Sequence, residues 1–453
     1  MSRLATPLMV ARDPGTVRDQ CAATQPQYIP ALDGVRGIAI LLVIAFHARV
    51  AFSSTAEIPY VAFRFLGLGW SGVDLFFVLS GFLITGILLD SRDGPRYFRR
   101  FYWRRVLRIF PLYFAYLFLI LVVCRYAWLA WSGVDLWKGT NPWWYFSYLL
   151  NWKSDHGFND LYLGHLWSLA IEEQFYLVWP ATVWLVPRRK LKWLCLAVAG
   201  GALAARCYLG THGYDAEAVY RMTPCRMDGL ALGAFVAIGL RDFRESLNRY
   251  APAVLLTSGW GTLCVVAVAP GPVWSDALMR TLGASLIVIT YACVVFYSAA
   301  LRDGRVQRLL ASPWLRKVGK YSYAMYVLHS MPFHLTGPAL HQLSNSALPA
   351  PLMLVARYLY FPALAGFAFG MAWISWHALE KRFILLKGAL SDPPPANGAR
   401  PAAPPQCLPG APLKLRPADQ PASTSALTSS YQLADFVSPG PIPGTNVAPD
   451  KLR

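Results

Sequence analysis

The stretch LDGVRGIAILLVIAFH, residues 32–47, places a histidine deep in an apolar segment, eleven positions after an arginine. Eleven residues of α-helix make about three turns and rise about 16 Å, so Arg36 and His47 share one helical face. Polar groups are costly in a membrane helix, and those that remain usually face the bundle interior or an aqueous cavity. His47 could therefore act as a general base. A neutral packing histidine is the alternative, and Arg36 could instead extend to the membrane surface.

Two further apolar segments carry polar groups that could act together with His47. The segment GHLWSLAIEEQFYLVWP places Glu172 seven residues after His165, on the same helical face, with Glu173 directly beside it. The segment GKYSYAMYVLHSMPFH adds His329. Three helices would thus deliver His47, the two carboxylates and His329 to similar depth, which indicates a buried acid–base site. Packing of the histidines, and an ion pair of the carboxylates with a neighbouring helix, remain open as alternatives.

An arginine stripe begins the third apolar segment, in RRFYWRRVLRIFP. Arg100, Arg104 and Arg108 recur at four-residue spacing, and Arg105 lies three residues before Arg108. Guanidinium groups suit bidentate binding of phosphate oxygens, so the stripe predicts a phosphate clamp. Membrane topology and anionic lipid headgroups are the alternative explanation.

Other polar positions are more ambiguous. Asp74 falls in the first turn of the second apolar segment, where the helix dipole favours a carboxylate, so a structural role is expected. Arg226 and Asp228 in RMDGLALGAF predict either a local ion pair or groups that line the cavity from outside. No metal is expected, because the histidines lack tight ligand spacing such as HExxH. The eight cysteines are scattered singly, which predicts neither a disulfide framework nor a zinc site.

The elements that must position these groups are membrane helices. The chain has 453 residues, of which 55% are hydrophobic and 14% aromatic, as is typical of a polytopic membrane protein. The expected fold class is an all-α integral membrane protein with about ten transmembrane helices, each long enough to cross roughly 30 Å of hydrocarbon. The predicted spans are 37–54, 72–90, 107–130, 165–186, 191–208, 224–240, 251–269, 276–300, 319–340 and 352–378.

Three regions are predicted along the chain. A polar segment covers residues 1–30, the transmembrane domain covers 31–387, and a Pro/Ala-rich tail covers 388–453. The tail has too few apolar side chains to bury a core and is expected to be disordered. No convincing cleavage site follows an apolar segment, so a removable signal peptide is not expected.

The net charge of +18 is explained by topology. Lysines and arginines concentrate in alternate loops, those after the second, fourth, sixth, eighth and tenth spans, while the opposite loops carry few. The positive-inside rule therefore predicts that these loops and both termini are cytoplasmic. A nucleic-acid partner is not needed to account for the charge, and membrane lipids are the expected contacts.

Six motifs in order resemble the acyltransferase-3 family of integral membrane O-acyltransferases, over roughly residues 28–387; they are LDGVRGIAILLVIAFH, FFVLSGFLIT, RRVLRIFPLY, HLWSLAIEEQFYLVWP, RMDGLALGAF and VGKYSYAMYVLH. The resemblance implies transfer of an acyl group, commonly acetyl, from cytoplasmic acyl-CoA to hydroxyls of cell-surface or lipid-linked carbohydrates, in the cytoplasmic (inner) membrane. The family's arginine-x10-histidine motif matches Arg36 and His47, and its RxxR motif matches Arg105 and Arg108. Some members add an extracytoplasmic hydrolase-like domain, where this chain has the proline-rich tail.

The expected chemistry combines these groups. His47 takes the proton of the acceptor hydroxyl as general base, while Glu172 or Glu173 fixes its tautomer and stabilises the imidazolium. The guanidinium groups expected to hold acyl-CoA are those of Arg36, Arg104, Arg105 and Arg108. The side chains expected to contact the acceptor are His165, Asp228 and His329. An acyl-histidine intermediate is an alternative route to the same products.

Two other functions are compatible with buried polar groups. A glycolipid transporter or flippase would use them as a substrate or proton pathway, although no inverted repeat with broken helices is found. A scaffold for polysaccharide biosynthesis proteins would need no chemistry from His47 or Glu172. A carbohydrate or glycolipid acceptor is the partner that distinguishes the enzyme from both.

Overall fold

The computed structural model describes residues 28–49, 60–135, 137, 140–153, 162–269, 271, 273–301, 303–344 and 350–389. The chain divides into two units, Met1–Pro393 and Pro394–Arg453, and the second lies outside the described residues. The predicted polar N-terminal segment and the predicted tail also fall outside them, apart from residues 28–30 and 388–389.

Helices form all the regular structure of the described residues, which contain no strand, so the predicted all-α fold class is confirmed. The α-helices are α1 Pro30–Ala48, α2 Tyr60–Gly67, α3 Gly72–Ser91, α4 Tyr97–Phe118, α5 Arg125–Ser132, α6 Trp143–Phe146, α7 Trp167–Leu185, α8 Arg188–Thr211, α9 Ala216–Arg221, α10 Thr223–Asp242, α11 Arg244–Val268, α12 Ala284–Ala300, α13 Arg305–Leu310, α14 Pro313–Leu328, α15 Ser330–Ser344, α16 Ala350–Ser375 and α17 Lys381–Ala389. Single π-helical segments, Leu119–Cys124, Met279–Gly283 and Trp376–Glu380, continue α4 and α16 and precede α12.

Seven helical segments among the described residues are long and apolar enough to cross a membrane: Pro30–Ala48, Arg64–Ser91, Tyr97–Ser132, Arg188–Thr211, Arg244–Val268, Met279–Ala300 and Val355–Leu386. The other three predicted spans fall on helices that are shorter or more polar. They are α7, which carries both glutamates, α10, which carries Arg226 and Asp228, and the α14–α15 pair, where α14 ends at Leu328. The helices expected to carry the chemistry are therefore those with the least transmembrane character, because side chains that face other helices need not be apolar.

Burial separates central helices from peripheral ones. In the most apolar window of Arg64–Ser91 72% of the residues are buried, against 17% in Arg188–Thr211. The segment that contains α3 therefore runs through the middle of the bundle, while α8 has one of the more exposed faces. Helix α10 packs against α3 and α8, and α14 packs against α1 and α16.

Glycines allow the closest of these helix contacts. A Cβ atom on Gly319 of α14 would overlap the backbone carbonyl of Asp33 on α1. A Cβ atom on Gly81 of α3 would overlap the carbonyl of Leu230 on α10 in the same way. Small residues at such crossings are typical of membrane helices, whose association depends on close van der Waals packing. They bring α1, α3 and α14 near enough to enclose a common site.

Two buried ion pairs join the central helices. Asp74 of α3 lies 2.6 Å from the Arg226 guanidinium, and Asp228 lies 2.8 Å from that of Arg206 on α8. All four side chains are at most 5% exposed. The structural role predicted for Asp74 thus has a partner on α10, while Arg226 and Asp228 each pair with another helix instead of with each other. Asp228 belongs to this interhelical network and does not line the cavity described below.

Candidate active site

A cavity of about 170 Å³ lies between α1, α3, α4, α7 and α14. Its walls on α3 are largely apolar and include Phe76 and Ile84. Its polar lining consists of Arg36, Ser80, Arg105, Arg108, Ser168, Glu172, Tyr176, Ser322, Tyr323 and Tyr326. A cavity with an apolar wall and a few convergent polar groups is the usual form of a small-molecule site.

Three arginines line this cavity. Arg36 pairs with Asp33 at 2.9 Å, one helical turn away on α1. Arg105 and Arg108 form no ion pair within the described part of the chain. The Arg105 guanidinium lies over the rings of Phe101 and Tyr176, 5.8 Å from each centroid. The spacing of three residues on α4 brings both unpaired guanidinium groups to the same wall, where they can attract an anion.

A carboxylate is held by hydrogen bonds in the same cavity. Ser80 of α3 donates to Oε1 of Glu172 on α7 at 2.7 Å, and the Tyr176 hydroxyl donates to Ser80 Oγ at 3.1 Å. These bonds fix the position of the Glu172 carboxylate.

Tyr326 of α14 lies at the opposite part of the cavity lining. Its hydroxyl donates to the backbone carbonyl of His165 at 3.0 Å and lies 2.5 Å from Ser168 Oγ. Its ring centroid is 5.6 Å from that of His165 and 5.5 Å from that of His329. Tyr326 therefore connects the cavity to a group of histidines.

Three histidines from three helical segments form this group, named here the histidine cluster: His47, His165 and His329. The ring of His329, which is fully buried, lies 4.9 Å from that of His47 and 5.0 Å from that of His165, centroid to centroid. His47 is only partly buried. The similar depth expected for His47 and His329 is thus matched by direct ring contact, and His165, which was expected nearer the outer side than Glu172, joins them in place of the carboxylates.

Each histidine of the cluster uses one ring nitrogen to bind a backbone carbonyl. His47 Nδ1 lies 2.9 Å from the Val43 carbonyl, His165 Nε2 lies 3.0 Å from that of Val327, and His329 Nδ1 lies 2.7 Å from that of Tyr326. A carbonyl oxygen only accepts, so each of these nitrogens carries the proton, and in the neutral ring the other nitrogen keeps its lone pair. The free lone pairs are then on His47 Nε2, His165 Nδ1 and His329 Nε2.

The family model described as an acyltransferase domain matches residues 29–378, nearly the whole described part of the chain. The chain belongs to the acyltransferase-3 family. This match confirms the family resemblance that was inferred from the sequence motifs. It also confirms, at the level of the family, the prediction that the chain is an acyltransferase.

This family member is 28% identical over 361 residues to peptidoglycan O-acetyltransferase OatA of Listeria monocytogenes, which is 74% of this chain and 54% of the relative. It is 30% identical over 337 residues to the Bacillus subtilis protein named "Putative peptidoglycan O-acetyltransferase YrhL", covering 69% of this chain and 50% of the relative. The chain therefore spans about half the length of these curated relatives. No solved structure matches it.

The arginine-x10-histidine motif is divided between two parts of the site. Arg36, Arg105 and Arg108 line the cavity, whereas His47 lies in the histidine cluster. The tautomer of His47 is set by the Val43 carbonyl four residues before it on α1, and not by a carboxylate. From the sequence, Glu172 or Glu173 was expected to fix this tautomer, and the Val43 carbonyl does so instead.

The expected site residues divide further in the structure. Arg104 is exposed and does not line the cavity, in contrast to its neighbour Arg105. Glu173 is partly buried beside Glu172 and does not line it either. Among the described residues, no three His, Cys, Asp or Glu side chains are placed to hold a metal ion.

Sequence reasoning missed six polar residues of the cavity: Ser80, Ser168, Tyr176, Ser322, Tyr323 and Tyr326. Two of them had a signal, because Ser168 and Tyr176 lie four residues before and after Glu172 and so share its helical face. The other four come from other helices, and only packing shows that they meet the same space.

Proposed function

We propose that the chain is a membrane O-acyltransferase that moves an acetyl group from cytoplasmic acyl-CoA to a hydroxyl of a cell-surface or lipid-linked carbohydrate. The observation that carries the proposal is the cavity, where two arginines without ion-pair partners in the described chain share a lining with Tyr326, which contacts the histidine cluster. Acyl transfer from a phosphate-bearing donor requires one part of the site to bind the phosphates and another part to supply a base.

The donor is proposed to bind from the arginine end. Its phosphates contact Arg105 and Arg108, with Arg36 beside them, since guanidinium groups bind phosphate oxygens in charge-assisted pairs. The apolar wall of α3 suits the aliphatic arm of acyl-CoA. Glu172, held by Ser80, accepts a hydrogen bond from an amide of that arm and keeps it extended toward Tyr326. Glu173 does not line the cavity, so its charge affects the groups there only by electrostatic interaction over a longer distance.

His47 is proposed to be the general base. Because Nδ1 donates to the Val43 carbonyl, Nε2 has the free lone pair that can take the proton of the acceptor hydroxyl. The hydroxyl oxygen then attacks the thioester carbonyl, the carbon–sulfur bond breaks, and the proton passes from His47 to the CoA thiolate. The products are the carbohydrate ester and free CoA, so no other reactant is needed.

The membrane orientation and the acceptor belong to the same proposal. The distribution of basic residues supports both termini in the cytoplasm of a cell with an inner membrane, which puts the arginine end near cytoplasmic acyl-CoA and His47 further toward the outside. The names of the relatives, peptidoglycan O-acetyltransferases, support a carbohydrate acceptor in the cell envelope. His165 and His329 would lie beside the bound hydroxyl.

The test is the ester content of envelope glycans in a host strain that lacks the gene for this chain. Restoring the wild-type chain should restore base-released acetate and a 42 Da mass increment, about the mass of one acetyl group, while His47→Asn should lower the rate by about 10²-fold or more. A matched control is His212→Asn, because His212 Nδ1 also binds the carbonyl four residues before it, at 2.8 Å, on an exposed surface. Full activity of His47→Asn, or no acetate with wild type, would refute the proposal.

A further inference from the structure

The histidine cluster contains two nitrogens whose burial has no explanation in the neutral state. His329 Nε2 and His165 Nδ1 are both buried and have no hydrogen-bond partner among the described residues. A buried polar atom left unpaired is costly, and native structures contain few of them. Such an atom usually serves another state of the protein.

The identity of the missing partner follows from the tautomers. His329 Nδ1 donates to the Tyr326 carbonyl, so Nε2 can only accept a hydrogen bond while the ring is neutral. The imidazole rings in contact with His329 are those of His47 and His165, and their free nitrogens also bear lone pairs. Neutral histidines therefore offer no donor to one another, and a hydrogen bond can form only after one of them gains a proton.

We propose that His329 is the positioning residue for protonated His47, an inference that rests on the proposed function. When His47 Nε2 takes the proton of the acceptor hydroxyl, its new N–H is shared, as a three-centre hydrogen bond, between the reacting oxygen and the His329 Nε2 lone pair. Both rings keep their N–H bonds to Val43 and Tyr326, so neither has to rotate. The proton then leaves His47 for the CoA thiolate, and His329 is unchanged.

This hydrogen bond exists only while the reaction is under way. An interaction that is present in the transition state and absent from the resting state lowers the barrier, whereas one that is equal in both does not. A neutral imidazole thus replaces the carboxylate that stabilises an imidazolium in many enzymes. The His165 ring also lies 5.0 Å from the His329 ring, centroid to centroid, and limits its movement.

Two variants separate this role from packing. In His329→Asn the side-chain amide can still donate to the Tyr326 carbonyl from near the position of Nδ1, but the Nε2 lone pair is lost. In His329→Gln the amide oxygen at the position of Nε2 can still accept a hydrogen bond from His47, although the N–H that binds the Tyr326 carbonyl is lost. Wild type, both variants, His47→Asn and the control His212→Asn are compared as full chains in lipid nanodiscs for acetyl-CoA affinity, and in the deletion strain for acetate ester formation at equal protein level.

We expect both His329 variants to bind acetyl-CoA within about twofold of wild type, while ester formation falls roughly 10- to 100-fold in His329→Asn, a part of the 10²–10⁴-fold typical of acid–base groups, and clearly less in His329→Gln. Wild-type ester formation in His329→Asn, with His47→Asn inactive, would overturn this inference and leave the proposed function standing. Loss of acetyl-CoA binding in both His329 variants would also overturn it, because His329 would then be a structural residue. Inactivity of wild type would reject the proposed function itself.

Discussion

Ser80 on α3 donates a hydrogen bond to the carboxylate of Glu172 on α7, with 2.7 Å between the oxygens. The bond selects one of two adjacent glutamates, because Glu172 lines the cavity with Ser80 while Glu173 does not. The carboxylate is thereby fixed between the arginine end of the cavity and Tyr326. The bond to Ser80 thus identifies Glu172 as the carboxylate that would face the proposed donor.

This selection predicts unequal effects for the two glutamates. Glu172→Gln keeps an oxygen that accepts from Ser80 but removes the charge, so acetyl transfer should fall by about tenfold or more, as expected for loss of a charged hydrogen-bond partner. Glu173→Gln should have a clearly smaller effect. Rates of ester formation at equal protein level give the measurement, with exposed Glu245→Gln as control. A larger loss in Glu173→Gln would contradict the assigned roles.

Arginine substitutions should follow the cavity lining and not the stripe in the sequence. Arg105→Ala and Arg108→Ala should each weaken acetyl-CoA binding by about tenfold or more, since a charged hydrogen bond contributes roughly 1.5–3 kcal/mol. The exposed Arg104 should contribute less, through long-range attraction that salt screens. Equilibrium binding to the protein in nanodiscs at two salt concentrations measures this.

The control for the arginine series is Arg99→Ala, another exposed arginine of the same helix. Equal losses in the Arg104 and Arg105 variants would show that the phosphates lie on the exposed face of α4. Unchanged affinity for acetyl-CoA in the Arg105 and Arg108 variants would mean that both arginines serve only to set the membrane topology.

The buried pair Asp74–Arg226 should dominate stability over an exposed pair of similar geometry. Asp74→Asn leaves the 1% exposed Arg226 without its carboxylate, which costs about 3–5 kcal/mol for a buried charge. The exposed pair Arg241–Asp90, at 2.8 Å against 2.6 Å for the buried pair, contributes at most about 1 kcal/mol. Thermal unfolding in detergent should show a large drop for Asp74→Asn and almost none for Asp90→Asn; similar drops would refute the difference.

Helix packing at Gly319 should tolerate no side chain. Gly319→Val places branched carbons against the Asp33 carbonyl and forces α14 away from α1, so the yield of folded protein should fall sharply. Gly200→Val is the matched control, because nothing lies within 4 Å of a Cβ atom there. Size-exclusion profiles of the two variants decide the matter, and a monodisperse Gly319→Val protein would exclude so close a contact.

The sequence by itself determined the helices, the family and the faces within each helix. Hydrophobic length predicted membrane helices, and the period of 3.6 residues placed Arg36 with His47 and His165 with Glu172. The bond that holds the Nδ1–H of His47 is local as well, because Val43 lies one turn back along the same helix, although a carboxylate of another helix was expected in that role. All these are local relationships, set by residues near one another in the chain.

Only the tertiary structure decided which faces meet. The contact of His47 with His329, the bond of Ser80 to Glu172 and the pairing of Asp228 with Arg206 depend on the rotation and depth of separate helices. Those are set by close packing at glycine contacts and by buried ion pairs, which a helical period does not specify. For the same reason Arg104 and Arg105, neighbours in the sequence, differ in whether they reach the cavity.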